Sequence, residues 1–158
     1  LDIWLMANCF YCVSSQTGLD EVSRIFRKPA LNINCLPLSH LVSYSHCITV
    51  PKHLVWMETN RQLNLNEYLV NSYLRTQEYE NAKIKIIDLS TKEIIEAVLE
   101  MESILNGTWQ NTDEDQQLQD RFWDIFKSQR SFSKYNQFIH PDARIGAKFL
   151  KKNITLLD

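Results

Sequence analysis

No apolar run in this 158-residue chain approaches the ~20 residues needed to cross a bilayer, and no secretory signal opens it. The expectation is a cytoplasmic protein, working at the inner face of the membrane if near a membrane at all. Excess basic charge is also missing. The chain has 17 Lys and Arg against 19 Asp and Glu, a formal charge of −2, and its basic residues are scattered. That balance argues against a polyanion partner and against nucleic acid in particular. Internal repeats and low-complexity tracts are absent. Of the four cysteines, Cys9 and Cys12 make one C-x-x-C, and no second follows. Strand positions three apart point to opposite faces, a poor arrangement for shared metal ligation. Cys35, His40, His46 and Cys47 do not complete a zinc signature either. No metal is expected, and the cysteines read as reduced core residues.

What is present is a 44% apolar composition that suits one globular core. The chain opens on Leu1 in mid-pattern, which reads as one domain cut from a longer protein. Asp2 to Asn8 reads as the end of a helix with Ile3, Trp4, Leu5 and Met6 mostly buried. Phe10 to Val13 is a short interior strand. From Thr17 to Phe26, Leu19, Val22, Ile25 and Phe26 fall at helical spacing opposite Asp20, Glu21 and Arg24. Pro29 stops that helix, Arg27 and Lys28 cap its carboxyl end, and Ala30 to Asn34 supplies the next strand. So tight a strand–helix–strand order implies a right-handed parallel crossover.

Pro37 to Ser45 is irregular, and Ile48 to Val50 forms a third strand stopped by Pro51. Asn64 with Glu67 opens a helix to about Arg75 that buries Leu65, Leu69, Tyr73 and Leu74. Ile84 to Leu89 is the best strand of the second half. Ser90 with Glu93 opens a long helix with Ile94, Val98, Met101 and Leu105 on its stripe, ended by Gly107. Thr112 starts another helix carrying Leu118, Phe122, Ile125 and Phe126. Asp113, Glu114 and Asp115 read as its solvated start. The helical spacing of Trp109, Phe122, Trp123 and Phe126, with Tyr135 and Phe138 further on, favours core packing over sugar stacking. The tail from Ser131 lacks periodicity. The fold class is α/β: a partial doubly wound, Rossmann-like parallel sheet with a carboxyl-terminal helical segment.

That order places Ser14, Ser15, Gln16, Thr17 and Gly18 between the end of a strand and the start of a helix. Helix amino ends carry unpaired N–H groups and the positive end of the macrodipole, a setting suited to phosphate. Ser and Thr caps with a Gly bend serve equally as an ordinary strand-to-helix turn. Similar motifs decide how the corner is read. Asp2–Ala7, the Ser14-Ser15-Gln16-Thr17-Gly18-Leu19-Asp20 turn, Arg24–Pro29 and the later His140-Pro141-Asp142-Ala143-Arg144-Ile145-Gly146 resemble the carboxyl-terminal part of bacterial surface-carbohydrate glycosyltransferases of GT-B type. The turn and the Lys-Pro stop also occur in nucleotide-sugar epimerases of related fold.

The resemblance implies that the chain is the donor-binding half of a two-domain transferase, covering residues 1–158. Its ligand is then a nucleotide sugar, bound as substrate and not as a cofactor. Ser14 to Gly18 would contact the donor diphosphate, and Asp20 or Glu21 the ribose hydroxyls. Acids in a first helical turn also simply complement the macrodipole. A saccharide acceptor would be held by another domain, so the isolated chain should not catalyse transfer. No catalytic residue is assigned. His40 and His46 are weak acid/base candidates because histidine titrates near neutrality. Arg24 reads as a surface residue, and Lys52 as a weak phosphate ligand. The alternatives are a non-catalytic α/β ligand-binding or interaction module, and an epimerase-like fragment. Apolar surface left near Ile3 to Met6 and along strand edges points to a homo-oligomer.

Overall fold

The computed structural model describes residues 1–15, 18, 20–43, 45–129 and 139–158. Helix α1 (Asp2–Asn8) leads to strand β1 (Cys12–Ser14), helix α2 (Asp20–Ile25) and strand β2 (Ala30–Cys35). A 3-10 turn at Leu38–His40 precedes strands β3 (Cys47–Pro51) and β4 (His53–Trp56). Helices α3 (Leu65–Val70) and α4 (Thr76–Asn81) and strand β5 (Ile84–Ile87) follow. The long helices α5 (Thr91–Leu105) and α6 (Asp113–Ser128) come next. Strand β6 (Ala143–Ile145), helix α7 (Ala147–Lys152) and a last 3-10 turn at Ile154–Leu157 complete the chain.

Four strands form a parallel sheet in the order β1-β2-β3-β6. The expected β-α-β unit is therefore present, with Cys12, Val13 and Ser14 paired to Ala30, Leu31 and Asn32. Its first strand sits later than Phe10 to Val13, because Phe10 is 62% exposed and Ser14 carries the pairing on. The stop after α2 is a Schellman arrangement. Arg27 takes φ +53°, its N–H bonds to the Arg24 carbonyl, and the Lys28 N–H reaches back to Ser23.

Three helix starts follow the capping logic of the sequence. Asn64, Ser90 and Thr112 each accept from the N–H three residues on, and Glu67, Glu93 and Asp115 return the bond. Gly107 ends the turn after α5 at φ +69°, a conformation that costs glycine little. Below these caps lies the core. Tyr68, Met101, Phe122, Phe126 and Ile145 are all but inaccessible. The Phe122 ring stacks on Phe126 at 5.8 Å and meets Trp123 edge-on at 5.2 Å.

The structure departs from the sequence reading in several places. Ile3, Trp4 and Leu5 are exposed on α1, not buried. Helix α2 is shorter than Thr17 to Phe26 and inverted in burial: Asp20 and Ser23 face inward, while Ile25 and Phe26 face solvent. Leu19 lies outside the described residues. Helix α3 stops at Val70, so Leu74 is exposed, and α4 occupies the stretch beyond. Ile84 to Ile87 does form a strand, but it pairs antiparallel with β4 in a separate two-stranded sheet. Strand β6 and α7 emerge from a tail that showed no periodicity, and Tyr135 and Phe138 lie outside the described residues.

Phe122→Ala should lower stability by about 3–5 kcal/mol, since a fully buried aromatic leaves a cavity that the stacked Phe126 cannot fill. Leu74→Ala at a 75% exposed position should stay within about 0.5 kcal/mol. Urea unfolding midpoints of the two variants separate these outcomes.

Candidate functional site

The three strands β1, β2 and β3 each alternate small or polar with apolar residues. Their registers align, so Ser14, Asn32 and Thr49 form one rung across the sheet. All three are buried, at 8%, 1% and 1% exposure. The rung lies toward the carboxyl ends of the strands, the end at which open α/β sheets bind their ligands. Ser14 Oγ donates to Asp20 Oδ2 at 2.6 Å, which ties the first helical turn of α2 to the strand. Asn32 Nδ2 donates to Cys47 Sγ at 3.0 Å, and Thr49 Oγ1 lies 3.7 Å from the same sulfur. Asn32 Oδ1 is buried and has no donor among the described residues.

Burial pushes the Cys35 thiol up, and the neighbouring Cys47 adds to this. Burial raises Cys47 as well, opposed by hydrogen bonds from Thr49 and Asn32 and by the Arg24 charge. Both cysteines are therefore neutral, free, buried thiols. Among the described residues, no group of three or more His, Cys, Asp or Glu is placed to hold a metal.

The predicted contact residues separate on this frame. Ser14 and Asp20 come together and spend their hydrogen bond on each other. Ser15 is exposed just beyond β1, and Gly18 is exposed with no atom within 4 Å of where a Cβ would stand. Gln16 and Thr17 lie outside the described residues. Glu21 faces solvent and accepts from Arg24 Nη1 at 2.7 Å. Arg24 is not a surface residue: only 10% of its side chain is exposed, because α2 turns its polar face to the sheet. Lys52 is paired with Asp88 at 2.7 Å. His40 belongs to the 3-10 turn after β2. His46 lies at the opposite end of the sheet, just before β3, and sits 3.5 Å from Asp142.

Two further acidic groups lie near the carboxyl ends of the strands and were missed from sequence. Glu93 Oε1 meets His53 Nε2 at 2.7 Å, directly after β3, while its other oxygen accepts from Ser90. Burial works against the Glu93 charge, but the bonds from Ser90 and His53 outweigh it and hold the carboxyl below its ordinary value. Glu100 is buried on α5 and takes the Ala147 N–H on both oxygens, at 3.1 and 2.8 Å. Desolvation pushes its carboxyl up to about 7, against the lowering by the Ala147 bond and the Arg144 charge. A Glu in the middle of a long helix carries no sequence signal of that kind. The alternation of Asn32 and Thr49 with apolar neighbours did carry one.

The fold and this rung define an α/β protein with a parallel, Rossmann-like sheet that carries a buried polar rung toward the strands' carboxyl ends. No family model matches the chain, and no curated protein or solved structure matches it.

Glu100 makes stability depend on pH. Its folded value of about 7 lies above the ordinary 4.5, so the folded state holds more protons between those limits. The contribution is complete below about pH 4.5 and is lost as pH rises through about 7, by on the order of 3 kcal/mol. Glu100→Gln keeps an acceptor for Ala147 and removes the charge. Its stability relative to wild type should therefore rise from pH 5 to pH 8 in denaturant titrations.

Proposed function

We propose that this chain is the nucleotide-sugar donor-binding part of a glycosyltransferase of surface-polysaccharide synthesis. The observation that supports the reading best is the buried Ser14–Asn32–Thr49 rung, at the carboxyl ends of three parallel strands and leading into the Ser14–Gly18 corner. A nucleoside diphosphate leaving group gains negative charge as the sugar bond breaks, and preorganised N–H and hydroxyl donors stabilise it there. In this reading Ser15, Gln16, Thr17 and Gly18 receive the diphosphate. Glu21 is the exposed carboxylate for ribose hydroxyls, and Asp20 holds Ser14 in place. The nucleotide sugar is the substrate, and the acceptor saccharide is held by another domain, so the chain alone binds without transferring.

Calorimetric titration with UDP, GDP, CMP and their sugars tests the reading. One nucleotide class should bind, and Gly18→Val should weaken it by at least about tenfold through obstruction, because a new side chain there meets open space and leaves the fold intact. Unchanged affinity in a folded Gly18→Val protein rules the corner out.

The exposed apolar residues in and just after the first two helices support self-association. Ile3, Trp4, Ile25 and Phe26 are 64%, 64%, 75% and 46% exposed, and α1 packs on α2 beside the sheet edge at β1. Open edges and apolar patches of this kind recruit a second copy. Light scattering should show a concentration-dependent dimer that Trp4→Glu abolishes. A monomer at high concentration would remove the argument.

A further inference from the structure

A cavity of about 760 Å³ lies at the other end of the sheet. One wall is a single face of α6, and the opposite wall is the start of β6 with the loop before it. Since β6 runs parallel to β1, β2 and β3, Ala143 marks the amino ends of the strands, away from the Ser14–Gly18 corner. A hydrogen-bonded chain organises the walls. Arg144 Nη2 donates to Asn111 Oδ1 at 2.8 Å, Asn111 Nδ2 to Gln116 Oε1 at 2.8 Å, and Gln116 Nε2 to Asp120 Oδ1 at 2.7 Å. Trp123, packed edge-on against Phe122 and Phe126, contributes an aromatic wall.

The groups left unspent in this cavity are of both kinds. Trp109 Nε1 and Arg144 Nε are buried donors with no acceptor among the described residues. Asp124, one turn along from Asp120, lines the cavity with no hydrogen bond or ion pair among the described residues. A phosphate would satisfy the donors but would meet carboxylates at Asp120, Asp124 and Asp142. A divalent cation would meet Arg144 and Lys127. A ring bearing several hydroxyls answers the whole set, because each hydroxyl both donates and accepts while the C–H face packs on indole. We infer that the cavity between α6 and β6 is a saccharide-binding site, separate from the nucleotide corner. A volume of this size takes more than one sugar ring.

The test uses the whole chain and free sugars without nucleotide: glucose, galactose, mannose, N-acetylglucosamine, glucuronate and their common disaccharides. Tryptophan fluorescence and saturation-transfer NMR report occupancy. At least one sugar should bind and perturb the tryptophan signal. Asp124→Ala, an exposed position, should weaken it about tenfold or more, and Trp109→Phe, which keeps an aromatic ring but removes the N–H, should also weaken it. Gly18→Val should leave sugar affinity unchanged, so failure here and failure of the nucleotide site are read separately. The inference is overturned if none of these sugars binds the folded chain. It is overturned equally if binding survives both substitutions, or if inorganic phosphate displaces the bound sugar.

Discussion

Strand β2 hydrogen-bonds to a parallel neighbour on each side, β1 through Cys12 to Ser14 and β3 through Cys47 to Pro51. A parallel sheet is stable only with both faces covered, and its crossovers must pass over those faces. That requirement places the helices. Leu31, Ile48 and Val50 join Met101, Phe122 and Phe149 in one apolar core, while Ser14 is bonded directly to Asp20 of α2. The two faces differ in chemistry as a result. One is a packed core contributing most of the buried apolar area. The other is a band of polar and sulfur groups that α2 closes with Asp20, Ser23 and Arg24.

The inversion of α2 follows from that band. Helical spacing of Leu19, Val22, Ile25 and Phe26 carries no information on what the facing sheet offers. A buried rung of Ser14, Asn32 and Thr49 offers hydrogen bonds, so the helix turns its polar side in and leaves Ile25 and Phe26 outside. A six-residue helix has little intrinsic stability to oppose this choice. Here the Ser14–Asp20 bond and the Schellman stop at Arg27 set the helix, and its own periodicity does not.

What the sequence made legible has a common physical character. Capping boxes at Asn64, Ser90 and Thr112, the Gly107 stop and the β-α-β order are local signals, carried by residues three or four apart. What it hid depends on distant partners. Strand β6 has only three residues, and its outer edge is satisfied by the Gln119 side chain, which exchanges two hydrogen bonds with the Ile145 backbone. Asp115 looked like part of a solvated acidic start. It is buried, because it caps Thr112 and pairs with Lys151 of α7 at 2.9 Å. Burial alone would raise its carboxyl, but the bonds from Thr112 and Lys151 hold it below its ordinary value. Trp109 and Trp123 read as core by spacing, yet both line the cavity beside β6. The expectation at Ser14–Gly18 rested on strand-end and helix-start signals, which are local. The rung behind it required the registers of three strands.

The two ends of the sheet follow from one another. At the carboxyl ends, β1, β3 and β6 lead into α2, β4 and α7, and the polar groups there are mostly spent on each other: Ser14 on Asp20, His53 on Glu93, Ala147 on Glu100. Arrangements of that kind are rigid frames, and the exposed Ser15 and Gly18 are left at the rim. At the amino ends, the loop from Pro141 to Ala143 and one face of α6 line the same cavity, and among the described residues Trp109 Nε1 and Arg144 Nε have no acceptor there. A fold that covers both faces of its sheet can still expose its two ends. In this chain the described residues at one end are an exposed serine and a glycine beside a helix start, and at the other indoles beside carboxylates, so the two ends differ in the chemistry they present.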